Sequence, residues 1–146
     1  MSKTKNTKNT DETKKHYGDD TISTNIAANI LLVEDIPTNQ FIMRAILQDL
    51  GCIVELVSNG EIAVEKVKAH HYDAILMDCH MPVMDGYEAT KKIRKLDIKQ
   101  PYIIALTANT QKEDEDECRA CGMDDFLSKP LDIEKLSRIL HQECLS

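Results

Sequence analysis

Four short apolar runs in this chain each end on residues able to do chemistry. Ile30 to Val33 ends in the acidic pair Glu34 and Asp35, and Ala74 to Met77 delivers one carboxylate, Asp78. Tyr102 to Leu106 leads into Thr107, Ala108 and Asn109, and Phe126, Leu127 and Ser128 lead into Lys129 and Pro130. Taken singly, each is a helix cap or a turn residue. Together they form a site for a divalent cation and a phosphoryl group. Two carboxylates held about 4 Å apart repel by roughly 4 kcal/mol at an effective dielectric near 20, so Asp35 and Asp78 call for a cation. Hard oxygen ligands with room for water suit magnesium. An anionic phosphoryl donor approaches such a cluster only if the metal, Lys129 and the Thr107 hydroxyl cancel its charge. A carboxylate nucleophile would then become an acyl phosphate.

Strands must position these groups. The runs are too short and too uniformly apolar for surface helices, and Pro82 and Gly86 punctuate a loop after Asp78. After Asp35, the residues Ile36, Pro37 and Thr38 open a helix. Its apolar positions Phe41, Ile42, Ala45, Ile46 and Leu50 recur at helical spacing, and Gly51 stops it. Strands are expected near residues 30–34, 52–57, 74–78, 102–107 and 124–128, with helices near 37–50, 59–70, 86–96, 111–121 and 132–144. This alternation with short connections predicts an α/β, doubly wound, five-stranded parallel sheet covered on both faces. Chemistry in such sheets collects at the carboxyl ends of the strands, where the strand order reverses.

Four motifs agree in order: LLVED at Leu31 to Asp35, MDCHMPVMDG at Met77 to Gly86, ALTAN at Ala105 to Asn109 and GMDDFLSKP at Gly122 to Pro130. On them the chain, from Asn29 onward, resembles the receiver domains of two-component response regulators. The wording of the last two is most similar to receivers attached to hybrid histidine kinases. The resemblance implies a flavodoxin-like fold with strand order 2-1-3-4-5, bringing Asp35 and Asp78 together. It also implies a phosphoacceptor role for Asp78, direct metal ligation by Asp35 and ligation through water by Glu34. The backbone carbonyl of His80 would be the remaining protein ligand of magnesium. Thr107 and Lys129 would bind the phosphoryl group, and Phe126 would be the aromatic switch residue. His80 and Asn109 would tune dephosphorylation, and the Lys129–Pro130 peptide would be cis. The chain would be no enzyme beyond its own phosphorylation and dephosphorylation. Its implied partner is a histidine kinase or a His-containing phosphotransfer domain, and a monomer or weak dimer is expected. Two positions depart from the commonest pattern. Ile36 stands where hybrid-type receivers often carry Asn, and Phe126 stands where many members have Tyr, so no hydroxyl is available for an outward hydrogen bond.

Composition sets the remaining bounds. The 146 residues, 42% of them hydrophobic, suit one domain of about 117 residues plus a tail. Residues 1–28 are rich in Lys, Thr, Asn and Asp and lack an apolar period, which reads as a disordered arm or linker before a domain over 29–146. The arm carries five Lys against four acids, so the net charge of −7 resides in the folded part, at −8. That balance argues against nonspecific nucleic-acid binding. No hydrophobic segment approaches the length of a membrane span and the first residues lack a signal-peptide core, so with five cysteines, an odd number that fits a reducing compartment, a cytoplasmic location is expected. Cys118 and Cys121 have redox or metal spacing, but no second Cys or His pair follows them. The run Lys112 to Glu117 reads as a solvated helix face, and His70 and His71 as surface residues at a helix end.

Other functions fit less well. An Asp-nucleophile phosphatase of the haloacid-dehalogenase type carries a second acid two residues after the nucleophile, where this chain has His80. A flavin carrier would need a Ser/Thr/Gly-rich loop after the first strand, where Glu34 and Asp35 would repel phosphate. A phosphorylation-independent docking module tends to lose the acid pair, the phosphoacceptor or the Lys, and all are retained here.

Overall fold

Side-chain alternation inside the apolar runs decides which layer each residue enters. The computed structural model describes residues 25–108, 112–129 and 131–144. In it the runs become strands β1 (Asn29–Val33), β2 (Ile53–Val57), β3 (Ala74–Asp78), β4 (Tyr102–Thr107) and β5 (Asp125–Ser128). They alternate with helices α1 (Pro37–Asp49), α2 (Gly60–Ala69), α3 (Gly86–Arg94), α4 (Lys112–Cys121) and α5 (Ile133–Cys144). All neighbouring strands are parallel, in the order β2-β1-β3-β4-β5. The doubly wound, flavodoxin-like sheet expected from the sequence is therefore present, with element ends shifted only slightly.

Two layers of core flank this sheet. Leu31 and Val33, Ile75 and Met77, and Ile103 and Ala105 face a cluster shared with α2, α3 and α4. Their neighbours Ile30 and Leu32, Ala74 and Leu76, and Ile104 and Leu106 face a second cluster shared with α1 and α5. Successive strand residues point to opposite faces, so covering both faces requires an unbroken apolar run. Strand β3, at the centre, is buried along its whole length.

Helix α1 departs from its expected face. Of the apolar positions named above, Phe41, Ile42 and Ala45 point to solvent, and Phe41 is 77% exposed. Ile46 and Leu50, from the same set, are partly and fully buried, and Met43 and Leu47, outside it, are buried with them. Two apolar stripes share one helix, and helical spacing fits either of them. The direction in which the chain leaves β1 selects the stripe that meets the sheet. Gly51 ends the helix as expected, at φ 94°.

The N-termini of α2 and α3 follow ordinary capping chemistry. Asn59 accepts the Ile62 N–H at 2.9 Å and Asp85 accepts that of Glu88 at 2.9 Å, each satisfying a first-turn donor. Ile26 and Ala28, grouped by composition with the N-terminal arm, are buried. The Ile26 N–H donates to Leu50 O at 2.7 Å, and Ala28 O accepts from Ile53 N–H at 2.9 Å, so this short stretch packs onto the domain. At the far end of the sheet from the site, Arg94 donates to the carbonyls of Gly122 and Pro101 and pairs with Asp124 at 2.7 Å. Among the described residues, no helix is long and apolar enough to cross a membrane.

Candidate functional site

Pairing of β1 with β3 sets Val33 opposite Met77, so the next residues of both strands, Glu34 and Asp78, reach the same edge of the sheet together. Carboxylate oxygens of Glu34, Asp35 and Asp78 lie within 4.8 Å of one another. Glu34 is fully buried and Asp78 almost so. Burying this much negative charge is costly unless it is compensated. Lys129, just past β5, supplies part of the compensation: its Nζ lies 3.2 Å from Glu34 Oε1 and 3.4 Å from Asp78 Oδ2. Backbone donors add to it. Glu34 Oε2 accepts the Ile36 N–H at 3.2 Å, and Asp78 Oδ1 accepts the His80 N–H at 3.2 Å. Ile36, the residue before α1, has no side-chain oxygen for the helix's first-turn N–H groups, and its own N–H is taken up by the Glu34 carboxylate.

The charges respond to this crowding. Burial pushes the Asp78 carboxyl above its usual range and the Glu34 carboxylate pushes in the same direction, while the His80 N–H and Lys129 pull it back. Burial by itself would lower the Lys129 ammonium, but Asp78 and Glu34 outweigh it and the group is raised. One acceptor remains unanswered. Asp35 Oδ1 is buried with no hydrogen-bond partner. A buried orphan acceptor within a cluster of three carboxylates and one ammonium fits a hard cation, and an all-oxygen donor set fits magnesium.

Thr107 closes the site from β4. It is buried, stands opposite Ser128 in β5, and its carbonyl accepts the Lys129 N–H at 3.0 Å. Register therefore fixes Thr107 and Lys129 side by side. Phe126, paired with Ala105, leans on the cluster beneath α4, and the Lys135 Nζ lies 5.1 Å from its ring centroid. His80 is exposed and meets the Tyr87 ring edge-on, with centroids 5.9 Å apart. Asn109 and the Lys129–Pro130 peptide lie outside the described residues.

Two features here leave no mark in the sequence pattern. Val83, in the loop between β3 and α3, has φ 72°, and the Met84 N–H donates to Pro82 O at 2.8 Å around it. This is a γ-turn of the strained kind, held by a β-branched residue that is 76% exposed. Val83→Gly should therefore stabilise the fold by about 1 kcal/mol. Urea unfolding would check this, and a lower midpoint would show that the turn holds no strain.

Three buried thiols form the other feature. Cys79 and Cys118 have sulfurs 4.0 Å apart, and the Cys121 thiol donates to Cys118 O at 3.2 Å. Burial pushes all three thiols up, which makes them packing groups rather than nucleophiles. Among the described residues, the carboxylate trio is the group placed to hold a metal, and it includes no cysteine.

Comparison with known proteins agrees with this geometry. The family model described as "Response regulator receiver domain" matches residues 30–141. Hybrid signal transduction histidine kinase B of Dictyostelium discoideum is 47% identical over 125 residues, which cover 77% of this chain but only 6% of that protein. The chain thus spans a small part of that relative's length. Among solved structures, the receiver domain of sensor histidine kinase PA1611 from Pseudomonas aeruginosa PAO1 has 46% identity and a TM-score of 0.76. The match covers 82% of this chain and 99% of that one, whose active-site cleft coordinates a magnesium ion. The co-crystal structure of the Saccharomyces cerevisiae phosphotransfer protein Ypd1 with the receiver domain of Ssk1 matches at 30% identity and a TM-score of 0.74. That match covers 80% of this chain and 88% of the other. With the motifs, the sheet order and the acidic cluster in agreement, the chain belongs to the response regulator receiver domain family.

Proposed function

We infer that this chain is a phosphoacceptor in a two-component phosphorelay, taking a phosphoryl group from a phosphohistidine onto Asp78. The observation that carries this reading is the buried Asp78 carboxylate, set between Lys129 and an acid pair whose Asp35 Oδ1 has no partner. An Asp78 oxygen attacks phosphorus, the P–N bond breaks, and its electron pair stays on the donor's imidazole. The acyl phosphate that results has its oxygens met by the Lys129 ammonium and the Thr107 hydroxyl. Glu34, Asp35, Asp78 and the backbone carbonyl of His80 would hold magnesium, which supplies positive charge against the phosphoryl oxygens. Phe126 follows Thr107 when that hydroxyl engages the phosphoryl group, so phosphorylation shifts the population of states on the face of α4 and β5. His80 and Asn109 tune water's access to the acyl phosphate.

The donor is a histidine kinase or His-containing phosphotransfer domain. Supporting this are the exposed apolar side chains next to Asp35, Ile36 before α1 and Phe41 and Ile42 within it. A donor presenting an apolar helix face would cover these side chains. The five cysteines are free, which supports a reducing, cytoplasmic setting.

Acetyl phosphate with magnesium tests the reading directly. The intact chain should gain the mass of one phosphoryl group, and chelation of the metal should prevent it. A chain that stays at its own mass, correctly folded, overturns the assignment. Magnesium should also raise the thermal midpoint by mass action, and Asp35→Asn should remove most of that rise. Equal magnesium affinity in the variant would show that Asp35 is not a ligand.

A further inference from the structure

The contact between Lys135 and Phe126 joins a helix on one face of the sheet to a side chain that leans on the core of the other. Phe126 leans on the cluster beneath α2, α3 and α4, while α5 packs with α1 on the other face. Strand β5 is an edge strand. Lys135, in the first turn of α5, meets the ring at this edge of the sheet. Its Nζ stands 5.1 Å from the ring centroid, within the range at which an ammonium is attracted to the negative face of an aromatic ring. Phenylalanine has no hydroxyl with which to anchor itself at that edge, so packing by itself would leave the ring's position weakly determined. The ammonium supplies a specific hold.

We propose that Lys135 is a positioning residue for Phe126, holding the ring at the sheet edge and so opposing its movement toward Thr107. This rests on the assignment, made above, of Thr107 and Phe126 as the phosphoryl-responsive pair. Turning inward separates the ring from the ammonium, and the lost attraction lowers the population able to close on a phosphoryl group. Apparent affinity for a phosphoryl mimic falls by the same factor. An exposed contact of this kind corresponds to about a threefold change. A simple charge effect has the opposite sign, because removing a cation weakens the binding of an anion.

The full chain, titrated with beryllofluoride in the presence of magnesium and followed by fluorine NMR, tests the proposal. Lys135→Met should bind about threefold more tightly than the unmodified chain. Lys135→Arg, which keeps the cation, should restore the original value. In a Phe126→Leu background, which has no ring, Lys135→Met should change nothing further. Unchanged or weaker binding by Lys135→Met overturns the proposal, as does equal tightening in the Phe126→Leu background. Failure of the unmodified chain to bind beryllofluoride, or binding that survives Asp78→Asn, overturns the site assignment and the proposal with it.

Discussion

Asp78→Asn should abolish phosphorylation by acetyl phosphate while making the metal-free protein more stable. The first effect is all or none at the level of intact mass, because an amide cannot attack phosphorus as a carboxylate does. If label persists in the variant, another residue accepts the phosphoryl group. The second effect follows from crowding. Carboxylate oxygens of Glu34, Asp35 and Asp78 fall within 4.8 Å of one another, and the Lys129 ammonium pairs with Glu34 and Asp78. At that spacing a pair of like charges repels by roughly 3 kcal/mol at an effective dielectric near 20. Part of this is offset by Lys129 and the His80 N–H, which contact Asp78 itself. The net gain on neutralising Asp78 should be about 1 kcal/mol, or a rise of roughly 5 °C in thermal midpoint without magnesium. Magnesium should narrow the difference, since it stabilises the unmodified cluster more. A lower midpoint for the variant in chelator would mean that the three acids do not strain the apo fold.

Gly86→Ala should cost about 3 kcal/mol of stability and most of the phosphorylation rate. Gly86 begins α3, and its N–H donates to Cys79 O at 3.1 Å, which draws the helix start tightly against the end of β3. A Cβ placed there would collide with the Asp78 backbone carbonyl and come within 2.9 Å of Met77 Cγ. Neither neighbour can yield cheaply, because the Asp78 carbonyl belongs to the buried central strand. The strand end would have to shift, carrying Asp78 with it, and a displacement near 1 Å can cost about a hundredfold in rate. Urea unfolding with an unchanged m-value, together with the rate of mass gain from acetyl phosphate, reads both effects. A variant with normal stability would show that α3 and β3 do not approach this closely.

Much of the molecule was legible from residues in order. Apolar runs such as Ala74 to Met77 specify buried strands, and Pro37, Asn59, Asp85 and Gly51 mark helix ends through local chemistry that acts within a few residues. The motifs around Asp35, Asp78, Thr107 and Lys129 identify the family, because each sits where a strand must end. Other features depend on how distant segments meet. Which stripe of α1 faces the sheet is settled by the path of the chain out of β1, so Phe41 could not be distinguished from Met43 by spacing. Ile26 and Ala28 look like part of a polar arm until Leu50 and Ile53 offer them backbone partners. The close approach at Gly86, the positive φ of Val83 and the contact between Lys135 and Phe126 likewise have no local signature. Local sequence encodes dihedral preference and periodicity, whereas these depend on distances between elements that only packing sets.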